Sequence, residues 1–193
     1  MRLLLVRHGE TDWNVQKKIQ GSTDTKLNSN GILQAKQLGE TLKENNRNIS
    51  KIYTSKQKRA KKTAEIISNY LGVEYTEWDG LEEMNLGLWE GNSWTEVEDK
   101  FPLEYQEWID NRRYSRTPQG ESYQDLLERL IPSLKRIITI EKDDVLVVTH
   151  SADIMVLLSY INEIPFSEMA EYYKMENTAM IEIDSKEIDR LMI

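Results

Sequence analysis

Three observations predict an α/β fold of three layers, with helices on both faces of a mostly parallel central sheet. Apolar runs of four or five residues occur at 3–6 and 145–149, too short for helices and bounded by charge, glycine or histidine. Between them, apolar residues recur at helical spacing, so strands and helices alternate along the chain. At 193 residues, with 39% hydrophobic and 30% charged positions, the chain suits one domain (1–193) with one well-buried core.

The elements follow in order. Residues 1–6 read as a buried strand, and 9–21 as a polar loop with Asp12, Asn14, Gln16 and Gln20 interspersed. Ile32, Ala35, Leu38 and Leu42 mark a helix over 29–43, with Asn28 or Ser29 placed to cap it. A second strand is expected at 49–54. Ala60, Ala64, Ile67 and Leu71 then mark a second helix that Gly72 ends, and 73–78 is a third strand candidate. From 79 to 120 the pattern breaks into short pieces carrying Trp89, Trp94, Phe101, Tyr105, Trp108 and Tyr114, expected to form an inserted helical cap.

Leu126, Leu130, Leu134 and Ile137 restore helical spacing over 122–140, where Pro132 is expected to kink or split the helix by removing a backbone donor. A strand at 145–149, a helix carrying Ile154, Leu157, Leu158 and Ile161 that ends near Pro165, and a weakly alternating edge strand at 179–183 complete the pattern.

Composition narrows the chemistry. There is no cysteine, which excludes disulfides, thiolate metal sites and cysteine nucleophiles. A net charge of −8 disfavours nucleic acid as a partner, since such binding needs a basic surface against phosphates. No apolar run approaches the ~20 residues of a membrane helix, so no membrane partner is expected. The first apolar run is short and leads straight into reactive residues, so a removable leader is not expected and a cytoplasmic location is.

In open α/β sheets, ligands bind beyond the carboxyl ends of the strands. His8 follows the first apolar run between Arg7 and Gly9, and His150, the only other histidine, follows the run at 145–149. Arg59 begins a helix just after Ser55, at the end of another strand. Two guanidinium forks and two imidazoles in one crevice suit a small dianion, and a neutral imidazole is a competent nucleophile toward phosphorus. A lone histidine at a strand end is more often simply buried; two such ends, one flanked by Arg and Gly, point to a site. No H-x-x-x-H spacing supports a metal site.

Arg7-His8-Gly9-Glu10-Thr11 with Asn14 resembles the opening motif of the histidine phosphatase superfamily, branch 1, the phosphoglycerate mutase-like family. The resemblance continues through Gln20-Gly21, Asp24, Leu27, Gly31 and Gln34-Ala35, then Ser55, Arg59-Ala60 and Thr63-Ala64-Glu65. It resumes at Leu81-Glu82-Glu83, Gly87, Trp89-Glu90-Gly91, Gly120-Glu121-Ser122 and Thr149-His150, in family order over nearly the whole chain.

The resemblance implies a phosphatase acting on a small phosphorylated metabolite without metal or cofactor. His8 resembles the nucleophile that becomes phosphohistidine, Arg7, Arg59 and His150 the phosphate clamp, and Asn14 its helper. Glu83 matches the acid that protonates the leaving oxygen, with Glu82 as the alternative. Gln20 and Gly21 lie on the loop nearest the substrate, while Glu10, Glu90 and Glu121 read as loop or network residues. Short relatives hydrolyse α-ribazole phosphate, phosphoserine or sugar phosphates, or act broadly. Phosphoglycerate mutase activity and a silent phospho-ligand binding module are the other readings.

Two departures from the family pattern concern pocket shape. Ser151-Ala152 stands where glycine usually follows the second histidine, so a β-carbon crowds the phosphate or a hydroxyl donates to it. Asn85-Leu86 replaces an acidic-aromatic pair. Trp89, Trp94, Tyr105, Trp108 and Arg112-Arg113 are the residues expected either to face the leaving group or to pack inside the cap.

Overall fold

A computed structural model describes all 193 residues. The strands are β1 (Arg2–Arg7), β2 (Lys51–Thr54), β3 (Tyr75–Glu77), β4 (Val145–Thr149) and β5 (Met180–Asp184). They form a five-stranded sheet in the order β3-β2-β4-β1-β5, parallel except for β5, which runs antiparallel on β1. Alternation along β1 and β4 sends Leu3, Leu5, Val145 and Val147 into one apolar cluster and Leu4, Val6, Leu146 and Val148 into another. Both faces of the sheet are therefore covered, and the expected three layers result.

Helices α2 (Ser29–Glu44) and α3 (Lys58–Leu71) lie on the second face, where α3 buries Ala60, Ala64 and Ile67. The first face carries α6 (Tyr123–Ile140) and α7 (Ser151–Ile161). Between β3 and α6, residues 79–120 form a short 3-10 turn and the helices α4 (Trp94–Lys100) and α5 (Pro102–Asp110). Their Trp89, Val97 and Trp108 join the same cluster as Leu3 and Val145, so this segment packs on the central core rather than building its own.

Four expectations change in detail. The loop at 9–21 holds a helical turn, α1 (Asp12–Val15), closed by reciprocal hydrogen bonds between Thr11 and Asn14. The third strand shrinks to three residues. Two short helices near the end, α8 (Met169–Tyr172) and α9 (Ser185–Arg190), carry too few residues for a readable period. Helix α6 runs through Pro132 without splitting. Pro132 and Glu128, whose carbonyl loses the bond, both face solvent, where water can serve that oxygen, while Leu130, Ile131 and Leu134 hold the helix down.

Register then sets the site. Leu3 pairs with Val145 and Arg7 with Thr149, while Thr54 pairs with Val148, so His8, His150 and Ser55 leave the sheet side by side. The start of α2 packs backbone to backbone against the segment after His8: a β-carbon on Gly31 would lie 2.1 Å from the Glu10 carbonyl oxygen, and one on Gly9 would lie 2.5 Å from that of Gly31. Only glycine permits this approach. No helix is long and apolar enough to cross a membrane.

Candidate active site

The rings of His8 and His150 have centroids 5.2 Å apart. Nδ1 of His8 lies 2.7 Å from the Gly9 carbonyl, which can only accept, so the proton sits on Nδ1. Nε2 then keeps its lone pair, and Nε of Arg59 donates to it at 3.2 Å. Burial, followed by the charges of Arg59 and Arg7, holds the His8 pKa well below the ordinary histidine value. The imidazole is thus neutral near pH 7, with its lone pair on a defined atom. Thr63 fixes the segment further: its hydroxyl accepts from Gly9 N–H at 3.0 Å and donates to the Arg59 carbonyl at 2.8 Å.

Arg59 is completely buried at the second position of α3. Its terminal nitrogens donate to the carbonyls of Thr23 and Gly21, each at 2.8 Å, which binds the loop at 20–24 to the nucleophile's own partner. Arg7 donates from a terminal nitrogen to the Met175 carbonyl, while its buried Nε has no partner. Burial lowers the pKa of both guanidiniums from a very high starting value, and both remain cations.

His150 is also fully buried; its Nε2 meets the Ser55 hydroxyl at 2.9 Å and its Nδ1 is unpaired. Burial and then Arg59 hold its pKa well below the ordinary value. The orphaned Nδ1 of His150 and Nε of Arg7 are two buried ring or guanidinium nitrogens with capacity for a further partner. His150 also precedes α7, whose first two residues, Ser151 and Ala152, line the cavity and belong to a helix turn that has no intrahelical partners for its N–H groups.

Glu83 arrives on the segment after β3. Its N–H donates to Gln57 Oε1 at 2.8 Å, and its carboxylate accepts from Met84 N–H at 3.0 Å. Burial raises its pKa against the opposing pull of Arg59 and Arg7. Neighbouring Glu82 turns back to accept from Gly80 N–H at 2.8 Å, away from the cluster.

Arg7, His8, Asn14, Gln20, Gly21, Glu83 and Ser151 line one cavity of about 450 Å³. Arg59 and His150 stand directly behind it through their contacts with His8. Every site residue expected from sequence is therefore brought to one place. Asn14 commits its oxygen to Thr11 N–H at 3.0 Å, and Gln20 accepts from Thr11 Oγ1 at 2.9 Å, so each retains an uncommitted amide nitrogen. The Ser151 side chain makes no hydrogen bond within the protein.

The cap aromatics divide. Trp89 and Trp108 are buried with ring centroids 5.3 Å apart, Tyr105 packs on both, and Arg112 lies over the Trp108 face at 3.7 Å. Arg113 donates to Gln124 at 2.8 Å. Only Trp94 of this group lines the cavity. Tyr123, Met155 and Met169, none of them singled out from the sequence, add to the wall.

Other contributors were also not legible. Gln57 bridges the Glu83 N–H and the Gly21 carbonyl, 2.9 Å from its Nε2. Glu90, by contrast, was expected as a loop or network residue: it gathers the backbone N–H groups of Ser22, Thr23 and Leu86 at 2.7 to 3.1 Å, fixing the loop beside Gln20 and Gly21. Asn177 donates to the His8 carbonyl at 3.1 Å from the far end of the chain. Asp153, one turn into α7, is fully buried and hydrogen-bonded to Thr149. Burial, and then Glu83, raises its pKa well above the carboxylate range.

Comparison with known proteins agrees with this geometry. Residues 3–190 match the histidine phosphatase superfamily (branch 1). The chain is 40% identical over 159 residues to the protein named "Uncharacterized phosphatase PhoE" of Bacillus subtilis (strain 168), covering 82% of this chain and 76% of that one. It is 34% identical over 166 residues to fructose-2,6-bisphosphatase of Saccharomyces cerevisiae, covering 85% of this chain but 35% of that longer one. The structure of YhfR from Bacillus stearothermophilus superposes with a TM-score of 0.84 at 29% identity, over 95% of this chain and 90% of that one. The chain belongs to the histidine phosphatase superfamily, branch 1, and is a phosphoric monoester hydrolase.

Proposed function

We propose that the chain hydrolyses a small phosphomonoester in two steps through a phosphohistidine on His8. The observation that carries this reading is the proton pinned on His8 Nδ1 by the Gly9 carbonyl, which leaves the Nε2 lone pair beside Arg59. In the first step Nε2 attacks phosphorus in line and the bond to the ester oxygen breaks. Glu83, whose raised pKa favours the acid form, gives that oxygen its proton. In the second step water attacks the phosphohistidine and loses a proton to Glu83, restoring His8 and releasing orthophosphate.

Positive charge and oriented donors stabilise the equatorial oxygens in both steps. Arg7 and Arg59 supply guanidinium groups, and His150 its unpaired ring nitrogen. His150 is neutral in the protein by itself, so the protonated form expected of a clamp arises only when the dianion's charge offsets the pull of Arg59. Asn14, Gln20, Gly21 and Ser151 line the remaining phosphate side, Ser151 with a hydroxyl and the start of α7. Residues 79–120 serve as a cap within a single domain, a reading supported by their share in the central apolar cluster. The substrate pool is cytoplasmic in this reading.

The test is chemical trapping. Mixing enzyme with ³²P-labelled ester and quenching in alkali is expected to leave label on His8, and His8→Ala is expected to abolish both the label and phosphate release from p-nitrophenyl phosphate. Full hydrolysis by His8→Ala would refute the proposal.

A further inference from the structure

We propose that the alcohol released by this enzyme is apolar, with an aromatic ring as the best fit, rather than a sugar or other polyol. The inference rests on the phosphatase reading and concerns the half of the same cavity that faces the leaving group.

The cavity lining combines two unlike sets of residues. One is Arg7, His8, Glu83 and the polar loop residues that the phosphatase reading assigns to the phosphate. The other is Ile19, Leu86, Trp94, Tyr123, Met155 and Met169. These come from six separate parts of the chain: the loop before Gln20, the segment after Glu83, the starts of α4 and α6, and the helices α7 and α8. All except Trp94 and Met155 are buried, so the apolar wall is a packed surface rather than a scatter of exposed side chains.

The wall offers few partners to hydroxyl groups. Asn14 and Gln20 have their oxygens committed to Thr11 and keep only their amide nitrogens, and the Tyr123 hydroxyl and Trp94 ring N–H are the polar groups the wall side chains bring. Glu90 and Gln57, the nearest polar side chains behind the loop, are consumed by Ser22, Thr23, Leu86, Gly21 and Glu83. The charges on this side are Lys17 and Lys18, which lie on the polar loop at the mouth. A polyol seated here would leave hydroxyls desolvated and unpaired, at a cost of about tenfold in affinity for each. A ring meets the opposite situation: methionine thioethers adapt to its shape and make favourable contacts with it, and Trp94 and Tyr123 add aromatic surface. A cavity of about 450 Å³ accommodates a phosphate with one ring and a short spacer.

The experiment compares esters of primary alcohols, so that the leaving group's chemistry is alike and only its body differs. The expected kcat/KM for 2-phenylethyl phosphate exceeds that for glycerol 3-phosphate and glucose 6-phosphate by about tenfold or more. Met155→Gln, which places an amide on the wall from a partly exposed position of α7, is expected to shrink that ratio, whereas Met155→Leu keeps it. Binding of the matching phosphonates, measured by calorimetry, gives the same ranking without turnover. Equal or better turnover of the glycerol or glucose ester overturns the inference while leaving the phosphatase reading intact. Ranked phosphonate binding with no ester hydrolysed overturns the phosphatase reading and leaves the leaving-group preference standing.

Discussion

The carboxyl of Asp153 and the hydroxyl of Thr149 are hydrogen-bonded inside the core, where burial favours the protonated acid. Thr149 Oγ1 touches two oxygens, the Asp153 carboxyl and the Leu81 carbonyl at 2.9 Å, yet carries a single hydrogen. The carbonyl can only accept, so a hydrogen given to Leu81 leaves the second contact to a proton on Asp153, the form that its raised pKa favours. The surroundings agree: Leu5, Leu130, Val147 and Leu157 share an apolar internal space with this carboxyl, and no cation bonds to it. A neutral acid thus links α7 through the end of β4 to the segment that carries Glu83.

This makes stability depend on pH with a definite sign. The Asp153 pKa is raised in the native state and ordinary, near 3.9, in the unfolded chain. Its contribution is fully present below about pH 4 and is lost as pH rises toward the native value. Asp153→Asn can still donate to Thr149 and does not titrate. Urea melts at pH 4, 6 and 8 are expected to show the variant gaining on the wild type as pH rises, by up to about tenfold in the folding constant per pH unit. A difference that stays constant across these pH values would mean the carboxyl is ionised.

Arg59→Lys keeps one charge and loses the fork. Lysine cannot meet His8 Nε2 and the carbonyls of Gly21 and Thr23 together. A fall in kcat of about 10²–10³ is expected, the scale of losing an oriented donor to a developing anion. Steady-state kinetics with a far-UV spectrum to verify folding would check it; activity within a fewfold of wild type would contradict the assigned role.

Glu83→Gln removes the proton donor while preserving its size. Esters of alkyl alcohols need that proton, and p-nitrophenyl phosphate, with a stable leaving anion, needs it far less. The first-step loss is expected to be about 10²–10³ for alkyl esters and much smaller for the aryl ester, read by single-turnover formation of phosphohistidine. The raised native pKa of Glu83 also places a descending alkaline limb on the wild-type rate of this step, because its acid form is lost as pH rises. That limb should vanish in the variant; equal losses on both ester types would assign the proton elsewhere.

Lys17 and Lys18 form a local positive mouth on a protein of net charge −8. Replacing both by Glu is expected to lower kcat/KM about tenfold at low salt, leave kcat nearly unchanged, and bring the two enzymes together as ionic strength rises. A loss that is independent of salt would indicate direct contact in place of steering.

Gly31→Ala should cost about 2 kcal/mol or more, because its β-carbon would fall on the Glu10 backbone and neither chain segment has room to yield. Thermal melts check this, and an unchanged melting temperature would show that the segment after His8 is free to move.

The strand ends were readable because their signals are local: a short apolar run, then His8 or His150. That both ends meet depended on parallel sheet logic, and the register of Arg7 with Thr149 supplied the reason. Ser55 was visible as the residue after a strand, but its bond to His150 spans 95 residues and has no local trace. Gln57, Glu90 and Asn177 are likewise defined by distant partners. The methionines of α7 and α8 went unassigned because a cavity wall and a core face share the same spacing in α7, and α8 is too short to show any period. Pro132 misled for a related reason: its cost depends on which way Glu128 faces, which the sequence leaves open.

The sheet order carries a consequence for how the protein is made. β1, which is made before the other strands of the sheet, finds its neighbours in β4 and β5, far along the sequence; Arg2 and Asp144, which clamp that pairing, are 142 positions apart. Arg7 and His8 also rely on the carbonyl of Met175 and the side chain of Asn177. A nascent chain therefore carries its nucleophile with no strand to hold it until β4 and β5 are made, and such distant pairings close slowly. Catalytic competence should appear abruptly, only once β4, β5 and the segment carrying Met175 and Asn177 have emerged, rather than growing with chain length.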